Sequence, residues 1–143
     1  MAQGDQIPDT NHVVRYCPPR TLNEVGGPTG SAFRIKTNEP FLSVGWLEHT
    51  NATDTAGRVS ATRLALATTL KFARSAKLAV LNVGETRDYV TKKSSDARCL
   101  RVAHEPEENN PHHAGIHNLE ASDDIIADLI AEVVRECYPA RDC

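Results

Sequence analysis

The chain has 143 residues, of which 40% are hydrophobic and 24% charged. That is enough to bury a core without disulfides or a structural metal, and too apolar for a disordered chain. A formal charge of −3 and a pI of 6.0 exclude a generic nucleic-acid-coating protein, and no apolar run approaches the roughly 18 residues of a membrane span.

The first ten residues, Met1 to Thr10, carry neither a basic nor an apolar leader segment. They read as a loose N-terminal arm (1–10) on a cytoplasmic protein, ahead of a single domain over 11–139 and a tail over 140–143. His12–Cys17 is a β-branched run stopped by Pro18-Pro19, which forbid continuation, so it reads as a strand. Residues 18–30 form a turn-rich loop. In 31–36 apolar and polar residues alternate, which predicts a half-buried strand with Phe33 and Ile35 on one face. A third strand is expected over 41–48, with the only tryptophan, Trp46, and with Gly45 at a bulge or a close backbone approach.

Residues 49–57 read as a loop. The first main helix is expected over 59–74, where Leu66, Leu70 and Ala73 fall at i, i+4 and i+7. Leu78–Val83 is almost wholly apolar, as a central strand buried on both faces would be. Residues 85–93 suggest a short helix and a loop, 98–104 another strand ending at His104, and 105–118 a loop. The second main helix is expected over 122–137, capped by Ser122, with Ile125, Ile126, Leu129, Ile130, Val133, Val134 and Cys137 on one stripe. Together these predict an α+β domain: a mixed sheet of about five strands, the first three antiparallel neighbours, packed by the 59–74 and 122–137 helices.

Charge is unevenly spread. Residues 72–103 hold seven Lys and Arg against three Asp and Glu, whereas residues 104–143 hold two against ten. Either the two segments satisfy each other within the fold, or Arg74, Lys77, Arg87, Lys92, Lys93, Arg98 and Arg101 build a positive face for an anionic ligand. Nucleic acid is therefore not excluded for the 74–101 segment. The four cysteines, Cys17, Cys99, Cys137 and Cys143, have no Cys-x-x-Cys spacing. They read as reduced thiols, three in or near core segments and Cys143 on the free tail.

Four of the six histidines, His104, His112, His113 and His117, fall within residues 104–117. Such a cluster is either a solvated polar loop or a site for metal binding, acid–base work or anion binding. His113 and His117 are spaced to share a face, and Glu105, Glu107 and Glu108 are nearby carboxylates; however, there is no His-Glu-x-x-His motif, and Gly115 weakens a helical turn. Arg15 sits on the first strand beside apolar neighbours. It needs a carboxylate, a phosphate or a backbone partner if buried, so a structural salt bridge and anion recognition are its two readings. Tyr16, Ser43 and His112 are candidate binding residues. Glu48 next to His49 is a candidate orienting carboxylate, although neighbours in a strand point to opposite faces.

No P-loop, dinucleotide-binding glycine pattern or Gly-x-Ser-x-Gly elbow occurs. Arg15 on the first strand, Ser43 on a later one and a glutamate downstream loosely resemble the Arg-Ser-Glu arrangement of ADP-ribosyltransferase-like folds. Three common residues carry no residue role across. Without a recognisable catalytic motif, the sequence favours a binding or interaction module facing a small anionic ligand or a protein partner. The alternative is a small enzyme whose catalytic residues are His104, His113, His117 and Arg15, with a metal-dependent or anion-binding site. The sequence names no cofactor.

Overall fold

The computed structural model describes residues 3–68 and 70–141. Its elements are β1 (His12–Cys17), β2 (Leu42–Trp46), α1 (Thr55–Leu66), β3 (Lys77–Asn82), α2 (Val83–Lys93), β4 (Arg101–His104), β5 (His113–His117), α3 (Asp124–Glu132) and β6 (Glu136–Pro139), with short 3-10 turns between them. The fold is α+β. One open six-stranded sheet has the order β4-β5-β2-β1-β3-β6.

Every neighbouring pair in this sheet is antiparallel, so it is not the mixed sheet expected. The helices do join strands of like direction: α1 links β2 to β3, α2 links β3 to β4, and α3 links β5 to β6. The α1 crossover steps over β1 and each of the other two steps over three strands, so no two like-directed strands touch. The 77–82 strand is interior rather than central, with β1 and β2 at the middle of the order.

Strand alternation divides the core. Val13, Val44, Ala79 and Leu81 pack with Phe33, Val90, Ile126 and Ile130 on one face. Val14, Leu78 and Val80 pack with Leu47 and Val59 on the other. Gly45 lets α1 approach the second face: a Cβ there would sit 3.2 Å from Val14 and 3.5 Å from Thr62.

Several expected boundaries move for identifiable reasons. Helix α1 starts early because Asp54 caps it, its carboxylate accepting the Gly57 amide at 2.8 Å. It ends at Leu66 rather than residue 74; Thr69, within the expected span, lies outside the described residues. Residues 31–36 bury Phe33 and Ile35 as their alternation implies, but Gly30–Phe33 is a 3-10 turn. It is wedged against α3, where a Cβ on Gly30 would lie 1.9 Å from the Asp128 carboxylate. Helix α3 stops at Glu132 because the chain turns to pair with the open side of β3, placing Cys137 opposite Ala79. Ile125, expected in the core, is 73% exposed.

The N-terminal segment is not a loose arm over its described part. Gln6 bridges to Ala103, the Ile7 amide donates to Val102 O at 2.9 Å, and Ile7 is fully buried. The cause is the free edge of β4, whose unpaired backbone groups need partners. At the other end Ala140 is buried and its amide donates to Ala76 O. Cys17 is buried but Cys99 and Cys137 are exposed, all three as free thiols; Cys143 lies outside the described residues. Among the described residues, no helix is long and apolar enough to cross a membrane.

Candidate functional site

The histidines of residues 104–117 separate into three environments instead of converging. The expected loop contains β5, in which His113 and His117 share a face and Gly115 lies between them. Phe41 covers that glycine, its ring 5.8 Å from the His113 ring and 4.9 Å from the His117 ring. A Cβ on Gly115 would meet the Phe41 ring at 2.4 Å, so only glycine allows this arrangement.

His117 pairs with Glu105, Nε2 to Oε2 2.7 Å, at a partly buried position. His104 and His112 instead meet His49 beside Trp46. The His49 and His112 Nδ1 atoms are 2.7 Å apart, and the His49 and His104 ring centroids 4.7 Å apart. Burial lowers the proton affinity of His49 and His112, and the neighbouring His104 lowers both further, as does His112 that of His49. His104 Nε2 donates to Pro111 O at 2.9 Å, leaving a buried Nδ1 without a partner among the described residues. Among the described residues no group of three or more His, Cys, Asp or Glu is disposed to hold a metal ion, so the metal use of the cluster falls away. Glu48 does not orient His49. It accepts from the His12 amide at 2.7 Å and pairs with His12 Nδ1 at 2.6 Å.

His113 turns elsewhere. Its Nδ1 lies 2.8 Å from Glu105 O; a carbonyl can only accept, so Nδ1 carries the proton and Nε2 of the neutral ring keeps its lone pair. The ring lines a cleft of about 840 Å³ that also takes in Arg15, Tyr16 and Ser43. Four of the seven residues singled out from sequence therefore share one cleft. His104, His112 and His117 are not among its lining residues.

Arg15 anchors the cleft. It is partly buried, its Nε donating to Ala32 O at 2.8 Å and its Nη1 to Ser43 O at 2.9 Å. The salt bridge expected from sequence is missing: among the described residues Arg15 has no carboxylate ion-pair partner. The rest of its donor fork is left unused. Burial pulls its proton affinity down, opposed by Cys17 and Glu39, yet a guanidinium stays charged at any working pH. Arg20, Arg34, Lys36 and Lys71 also line the cleft, against Glu39 and Glu107, so its field is positive. Arg34 is matched by Asp124 at 2.9 Å.

Part of the wall is apolar. Tyr16 stacks on Phe72 at 5.4 Å and accepts the Ala73 amide at 3.2 Å, while Pro18, Leu66 and Leu70 extend the surface. Asn110, which carries no sequence signal, also lines the cleft, and its Oδ1 is buried without a partner among the described residues.

Three of the seven cations of the basic middle are spent on the fold. Arg98 is held by Asp123 at 2.6 Å and by Asp96 at 2.8 Å, Arg87 pairs with Asp9 at 2.7 Å, and Arg101 donates to Gly4 O. A second depression of about 380 Å³ runs beside Arg98, but that guanidinium already has its carboxylates. Comparison of the chain with family models, with curated proteins and with solved structures finds no match, so the chemistry of the Arg15 cleft is read from its own residues.

Proposed function

We propose that this protein is a binding domain for a small anionic ligand, held in the cleft around Arg15. The observation that carries this is a partly buried guanidinium with two donors on carbonyl oxygens and, among the described residues, no carboxylate in ion-pair contact, Glu39 acting on it only from a longer distance. A buried cation without a counter-charge costs stability, and a ligand anion removes that cost. The cationic residues around it raise the local anion concentration, and the Tyr16, Pro18, Leu66 and Leu70 surface suits an apolar body on the same ligand.

The test is titration of the protein with inorganic phosphate and with butyrate, followed by amide shifts in NMR spectra. Shifts gathered at Arg15, Ala32, Ser43 and His113, weakened about 10- to 100-fold in Arg15→Gln, support the assignment. Equal binding by the variant, or shifts confined to another surface, overturn it.

A second reading, a small enzyme, rests on His113. Its Nε2 lone pair is fixed in the same cleft as Arg15 and Ser43, where it can take a proton from a bound ligand. Glu107, downstream of Ser43, lines the cleft too, which keeps the Arg-Ser-Glu resemblance within this reading. Turnover of a bound ligand that is lost in His113→Gln while binding persists would favour the enzyme.

A further inference from the structure

The cleft has more than a cation at its floor. Asn110 is only 7% exposed, and its Oδ1 is buried with no hydrogen-bond partner among the described residues. Its backbone is fixed, because Asn110 and Glu107 exchange both amide-to-carbonyl bonds at 3.0 Å. His113, also 7% exposed, offers a second acceptor, since Glu105 O holds the proton on Nδ1. Glu107, at 60% side-chain exposure, adds a carboxylate near the mouth.

A plain anion satisfies only half of this arrangement. Carboxylate, sulfate and fully ionised phosphate oxygens only accept hydrogen bonds; they suit Arg15 but place lone pairs against the acceptors of Asn110 and His113. A site with buried acceptors rejects a ligand that cannot donate to them much more strongly than it rejects a change of size. We infer that the ligand of this cleft is an anion that also carries an O–H or N–H donor, of the hydroxy- or amino-substituted carboxylate or phosphate class. The anionic group sits on Arg15 and the donor on Asn110 Oδ1, with His113 Nε2 as the second acceptor. This rests on the anion-binding reading of the cleft.

The experiment uses matched probes on the full chain: butyrate against 2-hydroxybutyrate, and ethyl phosphate against 2-hydroxyethyl phosphate. Dissociation constants come from NMR titration, with the Asn110 side-chain amide resonances as a local readout. The hydroxylated member of at least one pair is expected to bind about 10-fold tighter, a difference of one buried hydrogen bond. Whichever pair binds identifies the anionic group as carboxylate or phosphate. Asn110→Leu is expected to bring the ratio close to one, because the acceptor that distinguishes the two members of a pair is gone. Asn110→Asp keeps an acceptor there and is expected to keep the preference, so a misfolded leucine variant does not end the test. Equal binding within both pairs, or a preference that survives in well-folded Asn110→Leu, overturns the donor requirement alone. Failure of every probe to bind overturns the anion cleft itself, and this inference with it.

Discussion

His49 and His112 are 63 residues apart in sequence, yet their Nδ1 atoms face each other at 2.7 Å. Two ring nitrogens at that distance share one proton, so one ring donates and the other must accept. Protonating both rings puts two donors, and two positive charges, against each other, with His104 as third neighbour.

That contact fixes the direction of a pH effect. Burial holds both rings below the ordinary histidine value, so the unfolded chain binds protons that the fold rejects. Their contribution to stability is complete above the unfolded histidine pKa of about 6.5 and is lost as pH falls through and below it. Urea midpoints measured between pH 7.5 and 5.5 are expected to fall. The fall should be smaller in His49→Phe, and an unchanged slope in that variant would exclude the pair as its source.

Gly115 is required by Phe41. Gly115→Ala drives a methyl into the ring, with contacts of 2.4 and 2.6 Å to be relieved. It is expected to cost about 1–3 kcal/mol in denaturant unfolding. Most of that should return in the Gly115→Ala/Phe41→Leu double variant, since a smaller, flexible side chain makes room. Additive losses would place the strain elsewhere.

Ile7 tests whether the N-terminal segment belongs to the fold. It is fully buried, and its amide is bonded to Val102. Ile7→Ala should destabilise the domain by about 2–5 kcal/mol, the range for a large-to-small change in a core. A loss under about 0.5 kcal/mol, usual for surface positions, would return residues 3–10 to the role of a free arm.

Cysteine reactivity separates the thiols. Burial pushes the Cys17 thiol up to about 12, with Arg15 opposing, so little thiolate forms at pH 8. Mass mapping after iodoacetamide treatment of the native protein is expected to find Cys99 labelled and Cys17 spared until denaturant is added. Early modification of Cys17 would mean that the Phe33 side of the core opens readily.

The sequence was most legible where one period governed a segment. Arg15 between Val13 and Cys17 could be placed on an apolar face by alternation alone, and that placement led to the cleft. The histidines were legible as a density but not as a partition. His113 and His117 share a face in a strand as they would in a helical turn, so their spacing could not reveal β5. Its glycine, needed for Phe41, weakened the strand signal further. His49 as the partner of His112, and Asn110 as a cleft residue, depend on long-range contacts that no local pattern encodes. The apolar stripe of 122–137 was clear, but its last third answers to the unpaired side of β3 rather than to helical periodicity.

The two margins of the sheet differ in their protection. The β4 margin is closed by the chain's own residues 4–7, while β6 is short, ends at Pro139, and has that proline's carbonyl taken by Arg63 at 2.7 Å. Both margins are therefore guarded against strand addition, one by pairing and the other by its shortness, its proline and a carbonyl already bonded. Growth into fibrils by this route would first require residues 4–7 to be stripped from β4.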